Sequence, residues 1–183
     1  MVAQVKRRDF SVAEFHQMGA AGVFADGERV ELVEGGIVVM APIGAAHAGL
    51  VDLLADRLKE QLGRRAIVRV QNPLRLSDDS EPQPDIALVN PRDDYYTRAH
   101  PGPSDVLLVI EVAETSLAYD REIKVPVYAR AGVPEVWVID ARTRRTLVYA
   151  EPSGDGYAVV LERAPGEALV PRAFGDVAVS VGG

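Results

Sequence analysis

The stretch GAAHAGLVDLLADRLKEQLG returns apolar residues at Leu50, Leu53, Leu54, Ala55, Leu58 and Leu62. That spacing, near 3.6, predicts an amphipathic helix stopped by Gly63. Upstream, DFSVAEFHQMGA repeats the helical pattern, with Ser11 as N-cap and Gly19 and Gly22 as stops. Between them RVELVEGG and IVVM are two short apolar runs joined at Gly35-Gly36, the pattern of a β-hairpin. AIVRV, NPLRL, DIALV, VLLVIEVA, EVWVID and TLVYA then read as strands, with Pro73 confining NPLRL to a strand start or an edge. IKVPVYARA predicts a short helix closed by Gly132, with Pro126 in or near its first turn, where a missing N–H costs least. GDGYAVVLERA adds β structure around its GDG turn. This order predicts an α/β or α+β domain around a mixed sheet, with no internal repeat and no domain boundary, so residues 1–183 read as one domain.

Composition narrows the chemistry. With 48% hydrophobic and 26% charged residues the chain has the profile of a soluble globular protein. It contains no cysteine, which excludes disulfides, a thiolate nucleophile and a Cys-based zinc site. No apolar run approaches the roughly 20 residues that cross a bilayer. MVAQVKRRDF lacks a signal-peptide core, so a cytoplasmic location without membrane partners is the expectation. The net charge of −7 argues against non-specific coating of nucleic acid, but not against an enzyme that meets phosphates through bound cations.

The run VLLVIEVAET sharpens the question, because it places Glu111 inside a strand that otherwise belongs in a dry core. Burying an unpaired carboxylate costs several kcal/mol. On a strand, Glu111 shares a face with Leu107, Val109 and Ala113, near the C-terminal end where α/β sheets keep their ligand crevices. Asp85 opens the run DIALV directly after Pro84, so two carboxylates on core strands could converge. Each has a bland reading, an arginine partner for Glu111 and turn chemistry for Asp85. In AYDREIK, Lys124 follows Asp120 by four residues, one helical turn, and the plain reading there is a solvated ion pair.

These residues sit in a series of motifs: VELVEG, MAPIGAAH, QNPLRL, SEPQPDIALV, VIEVAETSLAYDREIK and VPVYARAGVPEVWVID. In that order, from Val30 to Val148, the chain resembles the Uma2 family, a branch of the PD-(D/E)XK nuclease superfamily. The resemblance implies a restriction-endonuclease-like core: a central mixed β-sheet flanked by helices, with an N-terminal helix and hairpin and a C-terminal β extension. It makes Asp85 the aspartate of the PD motif and Glu111 the acid of the (D/E)XK pair. Ala113 stands where the lysine of that pair is expected, and Lys124 on the following helix matches the displaced lysine. Glu31 and Glu34 would lie near the same site, with Glu34 the stronger candidate, and His47 and Gln83 match polar positions. Members often carry a glutamate after the hairpin glycine, where this chain has Gly36.

The implied activity is a Mg²⁺-dependent endodeoxyribonuclease, with Mn²⁺ as a substitute. Asp85, Glu111 and the main-chain carbonyl of Val112 would be metal ligands, Glu34 an added acid, and Lys124 the group beside the nucleophilic water, positioned by Asp120. A bound cation would offset the burial of Glu111. Cutting both strands of a duplex would favour a symmetric homodimer. The alternative is a non-catalytic protein of the same fold that uses the acidic pocket for an ion or a partner. Outside this set, His47 reads as a hydrogen-bonder at the helix start, His16 and His100 as incidental, and Trp137 as core. The arginine clusters at Arg64, Arg65 and Arg69 and at Arg142, Arg144 and Arg145 read as solvated surface.

Overall fold

Ser11 closes the first turn of helix α1 (Val12–Ala20) by accepting the backbone N–H of Glu14, whose side chain returns the bond. In the computed structural model, which describes residues 7–182, α1 packs Val12 and Phe15 against Val30 and Leu32 of a two-stranded hairpin, β1 (Val30–Val33) and β2 (Gly36–Val39). The hairpin turn is Glu34-Gly35, one residue before the predicted Gly35-Gly36, because both turn residues take positive φ, 48° and 72°. Helix α2 (Ala45–Leu62) ends at Gly63, as its spacing predicts. Leu53 is exposed while Leu50, Leu54, Leu58 and Leu62 are buried, so the apolar stripe is narrower than the sequence implied.

The central sheet runs β3 (Ile67–Val70), β4 (Ile86–Val89), β5 (Val106–Ala113), β6 (Glu135–Asp140), β7 (Thr146–Ser153) and β8 (Gly156–Arg163), neighbour to neighbour in that order. All neighbours are antiparallel except β5 and β6. That parallel pair needs a crossover, which a continuous helical stretch supplies: α3 (Leu117–Tyr119), a π-helical turn (Asp120–Lys124) and α4 (Val125–Arg130). Pro126 accounts for the wide turn. It has no N–H to give the carbonyl four residues back, and its ring would clash there, so the helix loosens just before it.

Two cores sandwich the sheet. Leu108, Ile110 and Val112 of β5 face α2 and the C-terminal segment, where β9 (Ala168–Leu169) pairs with β10 (Val179–Ser180). Val109 faces the crossover with Val125, Val127 and Tyr128. The alternation read from the sequence holds from Leu108 onward and inverts at Val106 and Leu107, where the register against β4 slips. NPLRL is not a strand. Leu74 and Leu76 donate to the carbonyls of Pro82 and Ser80, so the segment folds back on the loop that leads to Asp85 instead of joining the sheet. The same loop clamps the hairpin, through Glu81 N–H to the Leu32 carbonyl (2.7 Å) and Gly35 N–H to the Asp79 carbonyl (2.8 Å).

Candidate active site

Register brings the two acids together. β4 and β5 are antiparallel with Ile86 opposite Ile110, so Asp85 and Glu111 stand opposite each other on the other face, although 26 residues separate them in the chain. The N–H of Asp85 points at Glu111 Oε2 (3.4 Å), and the N–H of Val112 donates to Asp85 Oδ2 (2.9 Å). Gln71 Nε2 donates to the other Asp85 oxygen at 3.1 Å. His47, in the first turn of α2, brings Nε2 to 3.1 Å from Asp85 Oδ2, while its Nδ1 is buried without a partner among the described residues.

The crossover supplies the cation. Lys124, in the π-helical turn, is buried, with Nζ 2.8 Å from Glu111 Oε1 and 3.3 Å from Glu31 Oε2. Tyr128, one turn on, donates its hydroxyl to the same Glu111 oxygen at 2.5 Å. Glu31 accepts the N–H of Gln83 (2.9 Å), and Gln83 Nε2 returns to the Val30 carbonyl, tying the hairpin to the segment that leads into β4. Asp120 is buried and accepts Ser116 Oγ–H at 2.6 Å. It shares the cavity with Lys124 and adds to the field that holds the ammonium.

Glu31 and Glu34 exchange the roles that the sequence suggested. Strand alternation points Glu31 inward. Glu34 occupies the turn, is solvent-exposed and pairs with Arg130, outside the cavity. Tyr128 and Gln71 escaped the sequence reading altogether. Tyr128 looks like ordinary core in VPVYARA, and Gln71 carries no signal in its motif.

The ionisation pattern follows from burial and crowding. Burial drives Glu111 up, against the pull of Lys124, and the charges of Asp120, Asp85 and Glu31 push it further, to about 8. Lys124 pays for its own burial but is held protonated above its ordinary range by Glu111, Glu31 and Asp120. Asp85 is also buried, yet His47 and the Val112 N–H hold its carboxyl below the usual range, and the same contact raises His47.

These groups line one cavity of about 340 Å³, with the β2–α2 loop and Glu114 at its sides. Among the described residues no three His, Asp or Glu side chains form a ready cage for a metal. Two carboxylates with cavity access, one of them pushed toward its neutral form by burial and by the neighbouring acids, are nevertheless a donor set that suits Mg²⁺, which takes one or two carboxylates and completes its shell with water or phosphate.

Comparison with known proteins agrees with this architecture. The fold resembles a crystal structure from Anabaena variabilis described as "a putative nuclease belonging to DUF820", with a TM-score of 0.75 at 16% identity over 93% of this chain and 94% of that one. No curated protein matches in sequence. A family model described as "Uma2: Putative restriction endonuclease" matches residues 12–182. With residues 12–182, nearly its whole length, matched by that model, the chain belongs to the Uma2 family.

Proposed function

We propose that this protein is a metal-dependent endonuclease that hydrolyses DNA phosphodiester bonds. The observation that carries the reading is the convergence of Asp85, Glu111 and Lys124 on one cavity, with the Lys124 ammonium 2.8 Å from the Glu111 carboxylate. Asp85 and Glu111, with the Val112 carbonyl, would hold Mg²⁺, or Mn²⁺ in its place. When bound, the cation supplies Lewis-acid polarisation of a phosphate oxygen and a lower pKa for water beside it. Lys124 orients that water and stabilises the charge that grows on the phosphate oxygens. Glu31 and Asp120 keep the ammonium charged and aimed, and Tyr128 fixes the Glu111 oxygen that faces it. Gln71 and His47 fix Asp85. Cleavage of both strands by a homodimer extends the same reading, and light scattering with and without DNA tests it.

One observation favours the non-catalytic alternative: Lys124 is already engaged by two carboxylates, which gives the charged set a structural use without any reaction. Incubation of purified protein with plasmid and linear DNA, in Mg²⁺ or Mn²⁺ and with chelator, separates the two. Wild type should cut only with metal, and Asp85→Ala and Lys124→Ala should each lose about a hundredfold or more, the scale of removing one transition-state contact. Cleavage that survives in both variants, or in chelator, would overturn the assignment.

A further inference from the structure

The catalytic cavity presents an electrostatic problem to a phosphate. Glu31, Asp85, Glu111, Glu114 and Asp120 line it, against the two permanent cations Lys124 and Arg29, so its walls are net negative. Lys124 is committed to Glu111 and Glu31. Arg29 is not committed. Among the described residues its guanidinium has no ion pair and no side-chain hydrogen bond, although the residue is half-buried. A guanidinium carries five N–H donors in a rigid fork, and those of Arg29 are free to take a phosphate.

Its position is fixed by the hairpin. The Arg29 carbonyl accepts the Met40 N–H at 2.9 Å, which extends the β1–β2 ladder one residue beyond Val30 and Val39. With a period of two, Arg29 falls on the same face as Glu31, toward the acids. Arg29 also lines a second hollow of about 460 Å³ beside α1, and Gln83 is common to both walls. That hollow is walled by Phe15 and Phe24, whose rings stand 5.5 Å apart, and by His16, whose Nε2 is held 2.7 Å from the buried carboxylate of Glu81. The Phe24 ring, tilted 49° to the buried Phe15, is the half-exposed aromatic of that hollow, with Glu28 at its wall, and an aromatic next to a free cation suits a nucleotide whose phosphate is neutralised at the junction and whose base lies against Phe24.

We propose that Arg29 grips the substrate phosphate adjacent to the scissile one, and that the strand continues from the catalytic cavity past Arg29 into the hollow beside α1. This deepens the nuclease reading and rests on it for the identity of the substrate. Arg29 is a binding residue here, with no proton to transfer.

The test is binding of a short single-stranded DNA oligonucleotide across a range of salt concentrations, with Ca²⁺ replacing Mg²⁺ so that the strand stays intact. Each phosphate neutralised on a single strand contributes about −0.7 to the slope of log affinity against log salt. Arg29→Gln should weaken binding about tenfold at low salt and flatten that slope by about 0.7. Arg29→Lys should restore the slope while recovering only part of the affinity, because a point charge replaces a bidentate fork. Phe24→Ala should weaken binding with the slope unchanged, since stacking releases no counterions. Arg29→Gln that keeps the wild-type slope overturns the proposal, whatever its affinity, because a purely structural effect would leave the slope alone. A wild type that binds through Arg29 but never cuts in Mg²⁺ leaves this assignment standing and ends the nuclease reading. A wild type that binds no strand overturns this proposal, while the plasmid assay alone decides the nuclease reading.

Discussion

Glu111 carries the tension of the site in one side chain. It is buried, it faces three other acids, and its charge is borne by one ammonium and one phenol. Tyr128→Phe deletes only the phenolic hydroxyl and leaves the ring in its fully buried position. Hydrogen bonds to charged groups are worth about 1.5–3 kcal/mol, so the unfolding free energy read from urea titration should fall by an amount in that range. Cleavage should fall as well, because the oxygen that faces Lys124 is no longer held. Unchanged stability and turnover would mean that the short contact to Glu111 does no positioning. Trp137, the single tryptophan, offers a reporter of unfolding in such measurements, since it is fully buried opposite Ile110 on the other face of the sheet and its indole N–H is bonded to Glu135 at 2.8 Å.

The hairpin and the turns between strands decide where these side chains point. Gly35 sits at φ 72° against Asp9, and a Cβ there would run into both the side chain and the backbone of that residue. Gly35→Ala therefore combines backbone strain of about 1 kcal/mol with displacement of the hairpin. Thermal unfolding should shift down, and Lys124 should lose part of its contact with Glu31, read as weaker cleavage. The turn after β6 gives a pH test outside the cavity. Burial opposes ionisation of Asp140, but the N–H groups of Thr143 and Arg142 outweigh it and hold the carboxyl below its ordinary 3.8. A depressed folded pKa contributes stability that is present above the unfolded value and is lost as pH falls through the folded one. Asp140→Asn keeps an oxygen acceptor and removes the charge, so it should be less stable than wild type at neutral pH. The two should converge in acid below the ordinary aspartate range. A gap that is the same at both extremes would sink this assignment.

At the scale of the whole molecule, cation binding and folding should be linked. A ligand that binds only the native state stabilises it by about 2.7 kcal/mol at a hundredfold excess over its dissociation constant. Mg²⁺ should raise the unfolding temperature of wild type, chelator should reverse the rise, and Asp85→Asn should abolish it. A shift that persists in Asp85→Asn would place the ion elsewhere. No helix among the described residues is long and apolar enough to cross a membrane, which agrees with the spread of short apolar runs along the chain.

Much of this was written in local pattern. The period of α2, the Ser11 cap, the GDG turn and the strands DIALV and VLLVIEVA are determined by nearest neighbours, and the motif series pointed to the family that the whole-chain match shows. NPLRL failed because its alternation is that of a strand while its hydrogen-bond partners lie in a loop, and partners are not local information. Glu31 lies on β1 and faces the cavity, whereas the turn begins one residue earlier than the sequence implied and carries Glu34 out to water. The sequence by itself determined the main helices and most of the sheet strands, because their apolar stripes and caps are set within a few residues. Only the tertiary structure decided which acid meets the lysine, that Tyr128 belongs to the site and that Arg29 faces the cavity without a partner, because those relations arise from strand register and from a crossover that folds distant residues onto one face.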